Sequence, residues 1–237
     1  MKKFKFATLG LCFAMLVSCS TNQGTGTLIG AGGGAALGGV LGAIIGKDGK
    51  GAAIGAAIGG AVGAGTGAII GKHMDNVKAK AAAELENAKV EEVVDANGLK
   101  AVKVTFDSGL LFSTGSSTLA AKSKDDLNDF ANLLKKEADI SVDIQGYTDN
   151  QGWKNSTAEQ SAQKNLDLSN QRAQSVKSYL TSQGVRSSQF SHVTGFGEQN
   201  PVASNATAAG QQQNRRVEVY LYASERMIEK ANNGELD

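Results

Sequence analysis

What this chain lacks narrows its chemistry first. Cysteine occurs twice, at Cys12 and Cys19. Residues 20–237 therefore offer no thiol nucleophile, no disulfide and no cysteine metal site. Histidine also occurs twice, at His73 and His192, far apart in sequence and in no metal-ligand pattern. Carboxylates are scattered, with no recognisable acid/base pair. These gaps count against an enzyme, and neither a cofactor nor a metal is expected. Charge of one sign is also missing: the formal net charge is +1. A broad electrostatic grip on nucleic acid is excluded on that ground.

What is present starts with a leader. Lys2, Lys3 and Lys5 precede an apolar run over residues 7–17, broken only by Thr8, and small residues follow. The run is too short for a membrane span. Without its three lysines the chain carries 21 basic against 23 acidic residues. Leu16-Val17-Ser18-Cys19 resembles a bacterial lipoprotein lipobox. The resemblance implies that residues 1–18 are removed and that Cys19 carries the lipid. Several acyl chains together hold a protein stably on a bilayer. Ser20, where an aspartate would favour inner-membrane retention, implies the cell outer membrane, with the globular part in the periplasm.

Residues 19–27 form a lipidated polar tether. Of the 30 glycines, 19 fall between Gly24 and Gly71. Gly30, Gly34, Gly38, Gly42 and Gly46 repeat every four residues, and so do Gly51, Gly55, Gly59, Gly63, Gly67 and Gly71. This spacing puts them on one helix face. Leu37, Leu41 and Ile45, then Ile54, Ile58, Val62, Thr66 and Ile70, make a second stripe. Each glycine costs a water-exposed helix about 1 kcal/mol relative to alanine. In lipid, small faces let helices approach closely. Residues 28–71 are therefore expected to form a membrane-associated helical hairpin, resembling the glycine-zipper segment of some OmpA-like lipoproteins. The same faces could mediate homo-oligomers. A glycine-rich linker is the plainer alternative. Residues 72–97, rich in Ala, Glu and Lys, read as a solvated spacer helix. His73, at its start, reads as an interfacial residue rather than a ligand.

From residue 98 the pattern changes to strands and helices. Residues 101–106 alternate like a half-buried strand, and residues 140–147 alternate again. A helix is expected over residues 117–137, with Leu119, Leu127, Phe130, Leu133 and Leu134 inward. A second is expected over residues 169–183, closed by Gly184. Short strands are expected at residues 190–195 and 216–222. Together these predict a small α/β (α+β) sandwich over residues 98–224, then a polar tail over residues 225–237.

Four blocks then carry a family resemblance: Gly146-Tyr147-Thr148-Asp149; the stretch from Asn165 to Ala173; the stretch from Gly195 to Pro201; and Asn214-Arg215-Arg216-Val217-Glu218. In this order they resemble the OmpA-like peptidoglycan-binding domain, with its βαβαββ fold. The resemblance implies an outer-membrane lipoprotein that anchors the membrane to the wall without cleaving it. Its partner would be the diaminopimelate-containing stem peptide of peptidoglycan. An enzyme acting on the same wall is the competing class. A glycine-zipper membrane scaffold or pore, with the wall-binding domain as locator, is the alternative.

The distal centre of diaminopimelate carries an ammonium and a carboxylate, so a binding site needs a fixed anion beside a fixed cation. An arginine fork matches a carboxylate with two bonds. By resemblance, Asp149 takes the ammonium and Arg172 the carboxylate. With Ser169 as N-cap, Arg172 would stand third in a helix, where free N–H groups also favour an anion. The resemblance further implies that Asn165 contacts the peptide, that Thr148 and Leu168 line the pocket, and that Asn214 and Arg216 border it. Arg215 or Arg216 could instead pair with Glu198 or Glu218. One departure stands out: residues 153–164 lengthen the link between Asp149 and Arg172, and Trp153 could cover the pocket.

Overall fold

The computed structural model describes residues 64–95 and 98–236. The leader, Cys19, the tether and residues 28–63 lie outside the described residues. Strands β1 (Ala88–Val94), β2 (Lys100–Asp107), β3 (Ile140–Gly146), β4 (Phe190–Gly195) and β5 (Arg216–Ala223) form one sheet in the order β1-β2-β5-β3-β4. Neighbours run antiparallel except β3 and β4. The helices are α1 (Ala64–Glu84), α2 (Ser108–Leu111), α3 (Lys124–Lys136), α4 (Ala158–Ser182), α5 (Ala208–Asn214) and α6 (Glu225–Asn232). Parallel β3 and β4 need a crossover, and α4 supplies it. Over residues 98–224 the four strands with α3 and α4 follow the expected βαβαββ order, the short helices α2 and α5 are additions to it, and β1 joins the sheet edge from outside that range.

Alternation explains the two faces of the sheet. Val217, Val219 and Leu221 point to one side of β5 and are fully buried. The register sets Val104 beside Val219, and Val219 beside Ile144, so an apolar band crosses three strands. Each such side chain contributes about 1.5–3 kcal/mol when buried. The core cluster over this band takes Ile70, Met74, Val77 and Ala81 from α1, Leu127, Phe130, Leu133 and Leu134 from α3, and Ala173, Val176 and Leu180 from α4. The alternate residues of β5 are polar, and they satisfy one another. Arg216 Nε donates to Glu218 Oε1 at 2.7 Å, and the Tyr220 hydroxyl donates to Glu218 Oε2 at 2.7 Å.

The structure corrects the expected spacer. The helix ends at Glu84, and Ala88–Val94 is instead an edge strand, with Val90 paired to Val104. Nor is α1 solvated. Ile70, Met74, Val77 and Ala81 recur at helical spacing and are at most 1% exposed. Its Ala, Glu and Lys content described the outer faces and concealed this stripe. The globular domain thus begins well before residue 98. It also takes in the end of the second glycine array, where Thr66 Oγ1 and Asn232 Oδ1 lie 2.7 Å apart in a hydrogen bond.

Three further expectations change. Residues 225–237 are not simply a polar tail, because α6 buries Met227, Ile228 and Ala231. The helix expected from residue 117 begins at Lys124, after a 3-10 turn over Ala121–Ser123. Leu119 instead forms a short bridge with Phe112. The helix expected from Ser169 begins at Ala158. Thr157 caps it and Gln160 completes a capping box, so most of the added residues 153–164 are its first turns.

Candidate functional site

β2 and β3 end where β5 begins, since Asp107 faces Arg216 and Gly146 faces Val217. Ligand sites of open α/β sheets favour such strand ends. A cavity of about 470 Å³ lies here, a size suited to a small ligand. Its lining includes Thr148, Asp149 and Trp153 from the loop after β3, Asn165, Leu168 and Arg172 from α4, and Phe112 and Arg215. Asp149 and Arg172, 23 positions apart in sequence, therefore share one hollow.

The seating of α4 makes this possible. A Cβ on Gly146 would come within 2.2 Å of the Ser169 carbonyl oxygen, and one on Gly195 within 2.2 Å of the Asn170 nitrogen. The helix lies so close to β3 and β4 that only glycine fits beneath it. Ser169 Oγ donates to Leu166 O at 2.7 Å and accepts from Gly197 N at 2.8 Å, fastening the same turn. Arg172 stands one turn further on.

Arg172 is 4% exposed. Its Nε donates to Ser116 O at 3.0 Å, and its guanidinium carbon sits 5.2 Å from the centre of the Phe112 ring. Among the described residues it has no ion pair with a carboxylate. Burial, and then the positive Arg215, hold its pKa below the usual arginine value, while Asp149 pulls it up. A buried cation without a partnered anion is costly, so the arrangement calls for an anionic ligand group. Two more groups await partners at the same wall: the hydroxyls of Ser108 and Thr148 are buried and make no hydrogen bond among the described residues.

Asp149 is not paired with Arg172. Its Oδ2 receives Arg215 Nη1, and its Oδ1 accepts from Gln151 N at 3.1 Å. Asn165 lines the cavity, but its amide is committed to the loop. Its Oδ1 accepts from Trp153 Nε1 at 2.8 Å, and its Nδ2 donates to Gln151 O at 3.2 Å. Trp153 stands in the cavity wall.

Two expected site residues are placed elsewhere. Asn214 is fully buried and ties the loop before α5, accepting from Val202 N at 2.8 Å and donating to Ala203 O at 2.9 Å. Arg216 pairs with Glu218 and stacks 3.8 Å from the centre of the Tyr147 ring. Alternation along β5 sends Arg216 to the polar face of the sheet, while Arg215, just before the strand, reaches the cavity. Ser169 is no N-cap either. Arg172 lies deep inside α4, so no free helix N–H groups assist it. The reading from sequence missed Ser108, Phe112 and the pairing of Arg215 with Asp149. The first two depend on the segment after β2 folding over the cavity, and the third on the start of β5 lying beside the loop after β3.

Residues 111–215 match the OmpA family, and residues 1–75 match the YMGG-like Gly-zipper family. The chain is 38% identical over 152 residues to the protein named "Probable lipoprotein YiaD" of Escherichia coli strain K12, covering 64% of this chain and 64% of that protein. It is 32% identical over 165 residues to "Peptidoglycan-binding protein ArfA" of Mycobacterium tuberculosis strain H37Rv, covering 63% of this chain and 48% of that protein. The matches thus span between about half and just under two thirds of these relatives. Among solved structures, a MotB-like protein from Desulfovibrio vulgaris aligns with a TM-score of 0.54 at 22% identity, covering 64% of this chain and 92% of that one. That likeness bears on the fold.

Proposed function

We propose, from the premise that residues 111–215 are an OmpA-family domain, that this protein anchors a membrane to the cell wall without covalent chemistry. The domain binds the stem peptide of peptidoglycan at its diaminopimelate residue. The observation that carries this reading is the buried Arg172 guanidinium, which shares a cavity with Asp149 and among the described residues has no ion pair with a carboxylate. A zwitterionic amino-acid centre supplies the carboxylate that Arg172 lacks, and its ammonium competes with Arg215 for Asp149. Thr148, Leu168 and Trp153 close around the remainder of the ligand. The name of the mycobacterial relative says that it binds peptidoglycan, which supports the coarser part of this reading.

At the other end, lipid on Cys19 holds the chain to the outer membrane, and the domain faces the periplasm. The reading predicts that the full chain, in detergent, sediments with purified sacculi and releases no soluble wall fragments. Fragment release would point to an enzyme, and failure to sediment would overturn the anchor.

A further inference from the structure

The charges around the cavity do not balance. Its lining holds one carboxylate, Asp149, against Arg172, Arg215 and Lys154. Two other acids are bonded to residues of the lining without belonging to it. Asp107 accepts from Gly109 N and from Gln212 Nε2 at 3.0 Å. Glu198 lies beside Asn165, 3.4 Å from its Nδ2, and is not part of the lining. A ligand with one ammonium and one carboxylate is neutral overall and would leave this excess untouched.

The ion pair at the site adds a second constraint. Asp149 is already held by Arg215, whose side chain is 35% exposed at the cavity wall. A ligand ammonium that reaches Asp149 must share it with Arg215 or displace that arginine. Either way Arg215 is left short of negative charge, with its fork facing the ligand. A guanidinium in that position favours a planar, bidentate anion.

We infer that Arg215 is the receptor for a second ligand carboxylate, so that the site selects stem peptides whose carboxyl groups are free rather than amidated. The inference rests on the stem-peptide reading above and deepens it. Arg172 takes the carboxylate of the zwitterionic centre. Asp149 passes from Arg215 to the ligand ammonium, and Arg215 turns to a neighbouring carboxylate of the same peptide. Two groups can supply that carboxylate: the α-carboxyl of the preceding glutamate, or the other carboxyl of diaminopimelate itself. Lys154 is exposed and lacks the fork.

The test is calorimetric titration of the full chain, in detergent, with three synthetic tripeptides of alanine, γ-linked glutamate and diaminopimelate. The first has every carboxyl free. The second is amidated at the glutamate α-carboxyl. The third is amidated at the proximal diaminopimelate carboxyl. For the wild-type protein, one of the two amides should bind about tenfold more weakly than the free acid, as a lost charge-assisted pair implies. In Arg215→Gln that preference should vanish, the free acid and the amide then binding within about twofold of each other. Lys154→Gln should keep it.

Equal binding of all three peptides by the wild type would overturn the inference while leaving the anchor reading intact. So would a preference that survives Arg215→Gln or disappears in Lys154→Gln. Failure of the wild type to bind even the free acid would overturn both. Arg215→Lys guards against misfolding: it keeps the positive charge, and it should fall between the wild type and Arg215→Gln.

Discussion

The carbonyl oxygen of Ser169 lies where a Cβ on Gly146 would have to be, 2.2 Å from it. Strand β3 and helix α4 are thus in backbone contact one turn before Arg172 and three residues before Asp149. Both halves of the proposed site hang from this contact. Gly146→Ala should push α4 outward, destabilise the fold by about 1–3 kcal/mol, and weaken sacculus binding together with it. Thermal unfolding and sedimentation on the same samples check this. A variant that melts and binds like the wild type would show that the close seating is dispensable.

Arg172 should show function and stability moving in opposite directions. Removing a buried guanidinium without a counter-ion relieves a desolvation cost. Arg172→Met should therefore fold with a melting temperature equal to or above that of the wild type. It should nevertheless lose about 2 kcal/mol or more of stem-peptide affinity. Arg172→Lys should bind poorly as well, because the fork is gone. Calorimetry with the tripeptide and a thermal melt separate the two effects.

The single tryptophan of the sequence, Trp153, stands in the cavity wall with its ring nitrogen donating to Asn165. Its fluorescence should therefore report ligand entry without any added label. Titration with the free-acid tripeptide should change its emission saturably in the wild type and not in Asp149→Ala. An unresponsive tryptophan in a protein shown by calorimetry to bind would place the ligand elsewhere.

Acid should loosen the seat of α1. His73 Nε2 lies 2.9 Å from Glu137 Oε2, and Lys80 Nζ lies 2.8 Å from Glu137 Oε1. The bond to His73, and after it the bond to Lys80, hold the Glu137 carboxyl down at about 2, against the opposing effect of burial. A carboxyl whose folded pKa is depressed lends stability above its unfolded value, and that stability is lost as pH falls through the folded one. The melting temperature should therefore decline from about pH 4.5 toward about pH 2. Glu137→Gln should start lower at neutral pH and decline less over this window. Parallel curves for the two proteins would remove Glu137 from the account.

Helix α6 should matter to the fold. Met227 is 1% exposed and Ile228 5% exposed. Met227→Ala should cost about 2–4 kcal/mol, read from denaturant unfolding. A loss under about 0.5 kcal/mol would return the segment to the surface tail its composition suggested.

How much of this was legible without coordinates follows from the range of the forces involved. Period-two alternation placed β2, β3 and β5 within a residue or two of their ends, because it reports directly on which side of a strand is buried. The blocks around Asp149 and Arg172 named two side chains that do share one cavity. Composition failed where a short apolar stripe was diluted by polar neighbours. It hid the core face of α1, the strand at Ala88–Val94 and the buried side of α6. Capping was misread because Ser169 has the right chemistry for an N-cap, while Thr157 and Gln160, twelve and nine residues earlier, had already started the helix.

By itself the sequence determined the alternation, the glycines under α4 and the identity of the charged residues. Tertiary structure alone decided which charges meet. Arg215 and Arg216 are adjacent and chemically identical, yet one reaches Asp149 and the other Glu218. The difference is a rotation of the backbone at the start of β5. That rotation is fixed by the pairing of β5 with strands more than seventy residues away, a constraint that no local pattern carries.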